Sequence, residues 1–155
     1  MRRRWRGSLR VRVEAEVRPT EDPNKVLKAL RNLFNMEFKL VERGRGWASW
    51  VGESEDLTSL LPLKRAIQAK AVDETFYKYL KRLSKGTQNL LIFKLNKQAA
   101  YAGTPSLAEE DVESPLGAIT VEVEAEDVKK VIAWLTGKEG EVSGRDEDSS
   151  VRQNG

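Results

Sequence analysis

From Leu9 to Val17 the chain alternates apolar Leu9, Val11, Val13, Ala15 and Val17 with charged Arg10, Arg12, Glu14 and Glu16. A period of two predicts a strand with one buried face and one charged face. Pro19 ends it, having no amide hydrogen to give to a ladder. Asp22-Pro23 then predicts a helix start, with a carboxylate at the N-cap and proline at the first helical position. Val26, Leu27, Leu30, Leu33 and Phe34 follow at helical spacing and form its apolar stripe. Alternation returns over Met36, Phe38 and Leu40, breaks at Gly44-Arg45-Gly46 and resumes over Trp47–Val51, which predicts a hairpin. Trp47 and Trp50 fall on opposite faces of its second strand, so one of them is expected to be exposed, where it could stack on a base or equally serve a subunit interface.

Ser54, Glu55 and Asp56 predict another helix start, the acids favouring the positive end of the dipole. Pro62 is expected to break or kink that helix. The longest helical pattern runs from Leu63 to Lys85, with Ala66, Ala69, Val72, Phe76, Leu80 and Leu83 on one face. Lys64, Gln68, Thr75, Lys78 and Arg82 lie opposite, Lys85 at the margin, and Gly86 marks the stop. Residues 89–96 are apolar on both faces, as expected of a central strand. Ile119, Val121 and Val123 predict a late strand, and Val128, Val131, Ile132 and Leu135 a last helix near Trp134. Between them the expectation is a helical turn over 97–100, an edge strand near 101–107, and a type I turn at Ser114-Pro115-Leu116-Gly117. The pattern thus divides into a basic N-terminal extension (1–7), a single α+β domain (8–137) and a disordered polar tail (138–155).

Composition narrows the chemistry. The 155 residues include no cysteine and no histidine, which removes disulfides, thiolate metal sites, the usual general base and the commonest metal ligand. No apolar run is long enough to span a membrane, and the basic start lacks the apolar stretch of a signal peptide, so a cytoplasmic protein is expected. Charged residues make up 33% of the chain, which, with the absence of cysteine, fits a thermophile-like composition. The formal net charge is only +3, so the location of the cations matters more than their excess.

Three segments carry a resemblance: the run from Val11 to Pro23, Leu95-Asn96-Lys97-Gln98-Ala99-Ala100-Tyr101, and Glu113-Ser114-Pro115-Leu116-Gly117. In this order they resemble an uncharacterised archaeal family described as predicted RNA-binding and predicted exosome-associated, over about Leu9 to Leu135. The resemblance implies a fold similar to the 5S-rRNA-binding ribosomal protein: α+β, with helices packed on an antiparallel-rich sheet. It implies RNA as partner and carries no site residue with it. Members of the family have more arginine along the stretch matching residues 66–71, where this chain reads Ala-Ile-Gln-Ala-Lys-Ala.

The main candidate for RNA binding is the basic helix face of Lys64, Lys78, Arg82 and Lys85, since cations at helical spacing can follow phosphates. The bland alternative is a solvated face in which Glu74 and Lys78 pair at i,i+4. Arg10, Arg12 and Arg18 share a strand face with Glu14 and Glu16; the face shows no exposed aromatic ring for base stacking, and pairing with Glu122 and Glu124 of a neighbouring strand is the simpler expectation. Lys97 and Gln98, at a strand end, could meet phosphate and base, or only satisfy local backbone groups. The Gly44-Arg45-Gly46 run reads as a turn, and the run Glu109-Glu110-Asp111 with Glu113 as a solvated loop with no catalytic set around it. The expectation is a non-enzymatic RNA-binding protein without cofactor or metal, working in RNA processing or ribosome-related tasks, within an RNA-processing complex. The alternative is a protein-interaction module or homodimer that does not touch RNA.

Overall fold

The computed structural model describes residues 9–108 and 117–139. The basic extension, the carboxylates at 109–113, most of the Ser114–Gly117 turn and the tail from residue 140 lie outside the described residues. Strand β1 (Arg10–Val17) runs through the middle of a five-stranded sheet of order β2-β3-β1-β5-β4, with β2 at Phe38–Gly44, β3 at Trp47–Ser54, β4 at Leu90–Asn96 and β5 at Ala118–Glu124. Every neighbouring pair is antiparallel. The alternation of β1 decides the layering. Val11, Val13, Ala15 and Val17 are buried beneath the helices, while the charged set faces the open side of the sheet.

The helices are α1 (Pro23–Leu33), α2 (Leu61–Ala69), α3 (Asp73–Leu83), the short α4 (Lys97–Tyr101) and α5 (Val128–Thr136). As the pattern predicts, the Asp22 carboxylate accepts the Asn24 amide at 2.9 Å, and Val26, Leu30, Leu33 and Phe34 are buried. The stretch after β3 differs from the sequence expectation. Asp56 caps a 3₁₀ turn at Leu57–Leu60, and Pro62 sits in the first turn of α2, where its missing amide costs nothing, so it starts a helix rather than breaking one.

The single helix expected over 63–85 is two helices. The chain leaves α2 through a Schellman turn, in which the amides of Ala71 and Val72 donate to the carbonyls of Gln68 and Ile67, each at 3.1 Å. Ala71 takes the left-handed position with φ 56°, where glycine is the usual residue. Ala66 and Phe76 therefore do not lie on one continuous face. Two further departures concern β4. It is an edge strand, not a central one, because β5 takes the inner position; Leu90 and Ile92 remain exposed on it. The edge strand expected near 101–107 is reduced to one bridge between Leu95 and Leu107, since α4 runs on through Tyr101.

At the C-terminal end of β1 a buried ion pair joins three segments. Lys97, at the start of α4, donates its ammonium to the Glu16 carbonyl at 2.7 Å and to the Glu21 carboxylate at 3.1 Å. Glu21 Oε1 in turn accepts the Arg18 amide at 2.8 Å. The side chains of Lys97 and Glu21 are only 4% and 11% exposed, and burial pushes the Lys97 pKa down, opposed by Glu21. Asn96 caps α4 through its side-chain oxygen, and Asn32 of α1 donates to the Ala100 and Tyr101 carbonyls at its other end.

Replacing Ala71 by glycine removes the cost of an L-residue in the left-handed region, about 1 kcal/mol. A71G is expected to raise the melting temperature by roughly 2–4 °C, the scale for a domain of this size; a lower melting temperature would show that the turn is not strained. Replacing Lys97 by methionine strands a buried carboxylate and is expected to cost about 3–5 kcal/mol in urea denaturation. Adding Glu21→Gln, which keeps an acceptor for the Arg18 amide, should recover part of that loss. Equal stability of K97M and wild type would show that the pair contributes nothing.

Candidate nucleic-acid interface

The helix layer is poor in acids. Helix α1 carries Lys25, Lys28 and Arg31, α2 carries Lys64 and Arg65, and α5 carries Lys129 and Lys130, with no acidic residue inside any of the three. Asp73 and Glu74 in the first turn of α3 are the only acids within these four long helices. They are met by Lys138, at 3.7 and 2.8 Å. Lys138, placed by the sequence pattern at the head of the polar tail, is therefore bound to α3.

That contact changes the state of Lys78. The i,i+4 pair expected with Glu74 is absent among the described residues, because Glu74 bonds Lys138 instead. Lys78, Arg82 and Lys85 are all exposed and make no ion pair among the described residues. The buried Phe76 and Leu80 hold the opposite side of α3 against the core. Tyr rings lie among the cations: the Arg82 guanidinium sits 5.0 Å from the centroid of Tyr79, and the Lys81 ammonium 5.4 Å from that of Tyr77.

Lys64 does not join them. With the helix broken at Ala71, Lys64 belongs to α2, and its ammonium donates to the Trp134 carbonyl near the end of α5 while lying 5.0 Å from the Trp134 ring centroid. A cation there complements the negative end of the α5 dipole. Lys97 is withdrawn as well. Its ammonium is buried against Glu21 and Glu16 and has no exposed charge to offer a phosphate. Gln98, one residue on, is exposed at a hollow of about 370 Å³ between α1 and α4, shared with Thr20, Lys25 and Tyr101.

The open face of the sheet is a ladder of ion pairs. Arg10 lies 4.0 Å from Glu124, as cross-strand pairing predicts. Arg12 pairs with Glu14 at 2.9 Å and with Glu53 of β3 at 3.6 Å, rather than with Glu122. Arg43 of β2 reaches Glu14 at 3.2 Å, and Arg18 reaches Glu16 at 3.4 Å. These arginines are committed to carboxylates that share their face. Contrary to expectation, the face does carry an aromatic ring. The register puts Trp47, Ser49 and Val51 of β3 beside Glu14 and Glu16, and Trp47 is 38% exposed, with the Arg18 guanidinium 5.8 Å from its centroid. Inspecting β1 alone misses this ring, because a neighbouring strand supplies it. Trp50, on the other face, is half-buried and donates its indole N–H to the Pro23 carbonyl at 2.9 Å.

A family model described as RNA binding matches residues 10–125. A UPF0201 protein of Sulfurisphaera tokodaii is 43% identical over 127 residues, which are 81% of this chain and 86% of that one. Its counterpart in Aeropyrum pernix is 42% identical over 130 residues, 84% of this chain and 86% of that one. The 2.2 Å crystal structure of a UPF0201 protein from Methanococcus jannaschii superposes with a TM-score of 0.71 at 29% identity, covering 82% of this chain and 92% of that one. The family-model match opens on the first residue of β1 and closes just past β5, so it takes in the whole sheet, α1 to α4 and the cations of α3. The chain belongs to the archaeal UPF0201 family and to the family whose model is described as RNA binding.

Proposed function

We propose that this protein is a non-enzymatic RNA-binding protein that tracks phosphates along α3 and the turn after it, through Lys78, Arg82 and Lys85. The observation that carries the reading is the partition of charge. Arg10, Arg12, Arg18 and Arg43 of the open sheet face are paired with glutamates, whereas Lys78, Arg82 and Lys85 are exposed and without acidic partners among the described residues. An unpaired surface cation is free to exchange its counterions for phosphates, which favours binding without reading sequence. The tyrosines beside them add planes on which a base could rest. RNA processing or ribosome-related work is the proposed setting; the family description itself speaks of RNA binding alone.

A second reading rests on Leu90 and Ile92, which are 38% and 45% exposed at the β4 edge. An edge strand with exposed apolar side chains can pair with another copy, and a homodimer joined there needs no RNA. Analytical ultracentrifugation of the chain alone separates the two.

For single-stranded RNA the salt slope, log K against log salt, is about −0.7 per phosphate contacted, so three cations imply roughly −2. K78E/R82E is expected to weaken binding to many sequences alike and to flatten that slope by about 1.4. Its melting temperature should stay near wild type, because both side chains point away from the core. A folded double variant with an unchanged slope removes α3 from the interface.

A further inference from the structure

We propose that the β2–β3 hairpin tip, with Arg18, is a second contact with single-stranded nucleic acid, holding one unpaired base against Trp47. The inference rests on the RNA-binding reading and extends it to the opposite side of the molecule.

Three consecutive residues at the tip have positive φ: Gly44 at 97°, Arg45 at 58° and Gly46 at 85°. Glycine suits all three positions, yet the middle one is arginine. Arg45 carries a side chain in the left-handed region, which L-residues adopt only at a cost, and that side chain is exposed with no ion pair among the described residues. Gly46 presses on Pro19, where an added Cβ would come within 3.2 Å of the ring. The tip is thereby fixed against the residue after Arg18.

Around it lies an open hollow of about 540 Å³, lined by Glu14, Glu16, Arg43, Arg45, Trp47 and Ser49. Its two carboxylates are already bonded, Glu14 to Arg12 and Arg43, and Glu16 to Arg18. What the hollow offers a ligand is an exposed indole and the Arg45 charge at its rim, with the Arg18 guanidinium, held by Glu16, 5.8 Å from the ring centroid beside it. Splayed-out bases are held by aromatic rings and guanidinium planes, with nearby cations for the flanking phosphates. Trp50 shows what a structural tryptophan looks like in this sheet: half-buried, with its N–H bonded to backbone. Trp47 is the exposed one.

The α3 cations and Trp47 lie on opposite layers of the sandwich, so their contributions should be separable and nearly additive. The test uses the full chain, a uridine 12-mer, and an abasic 12-mer with the same number of phosphates. Uridine oligomer should quench tryptophan emission and the abasic chain should not; W47F should lose the quenching, and K78E/R82E should keep it once bound. W47A should bind the uridine oligomer 5- to 150-fold more weakly, the range base stacking supplies, while its affinity for the abasic chain and its salt slope stay at wild-type values. Circular dichroism melting shows whether W47A is folded, and W47F supplies the conservative check. Bound uridine oligomer without quenching, or W47A affinity equal to wild type, overturns the stacking site while leaving the α3 reading intact. Trp47-dependent quenching with no change of salt slope in K78E/R82E overturns the α3 reading alone. No binding to any oligomer overturns both. A dimer that falls to monomer in W47A assigns the surface to a second copy of the chain, and also overturns the proposal.

Discussion

The ammonium of Lys97 is the fixed point from which one end of the sheet is organised. It reaches the Glu16 carbonyl directly and the Arg18 amide through Glu21. Two charges are taken out of water to do this, and such a pair adds little net stability compared with apolar side chains of the same size. Its effect is better described as positional. With Glu16 and Arg18 held by their backbone, the carboxylate of one and the guanidinium of the other are delivered to the open face at a set height. There Arg18 meets both Glu16 and Trp47. Asn96 and Asn32 secure the two ends of α4, so the lysine itself has little freedom. A buried charge at the junction of three segments thereby sets the geometry of an exposed surface on the other side of the sheet.

The same sheet explains why charge is distributed so unevenly. Opposite residues on adjacent antiparallel strands lie about 4.5–5.5 Å apart on one face, which lets a central strand gather partners from both sides. Arg12 stands across from Glu53 on one neighbour and Glu122 on the other, and Arg10 across from Glu124. Neutralisation there is almost forced by register. A helix with no acid in its sequence has no such recourse, and α1, α2 and α5 have none. The acids that α3 does contain sit in its first turn, where the dipole favours them and Lys138 takes them up. A small net charge thus conceals a nearly balanced face and a strongly basic one.

Much of this was legible in the residues. The alternation of β1, the Asp22-Pro23 start of α1 and the Gly44–Gly46 hairpin each carry a local signal, and each stands where that signal puts it. The break at Ala71 does not announce itself, because alanine is the best helix former and no proline or glycine marks the site. It depends on tertiary packing, with α2 and α3 each set against α5. One continuous helix would put Lys64 on the face of Lys78; the break leaves Lys64 on α2 and Lys78 on α3. Lys97 is drawn inward for a different reason: its partner Glu21 is 76 residues away, and only the meeting of β1 and β4 through β5 brings them together. The apolar run of β4 suggested burial on both sides, but strand order is a non-local property that no run of residues encodes. Trp47 illustrates the same limit, since a face is assembled from several strands and cannot be inspected on one.

The two proposed surfaces differ in what they would ask of a nucleic acid. On α3 the proposed contacts would be long, flexible side chains on a helix, able to follow a phosphate chain of any sequence and losing affinity as salt rises. At the hairpin tip the ring follows a turn seated against Pro19, and the proposed contact would require a base that is unpaired and accessible. A duplex can satisfy the first and not the second. A single strand or a loop can satisfy both, either by passing around the edge of the sheet or by presenting two segments to opposite layers. Because α3 packs against β4 at one edge and the hairpin forms the other, a continuous strand must cross the width of the domain. A folded RNA, whose unpaired loop and duplex stem lie some distance apart, meets that spacing without wrapping. On the proposed reading, either a single strand that crosses the domain or a folded RNA with an exposed loop would engage both surfaces.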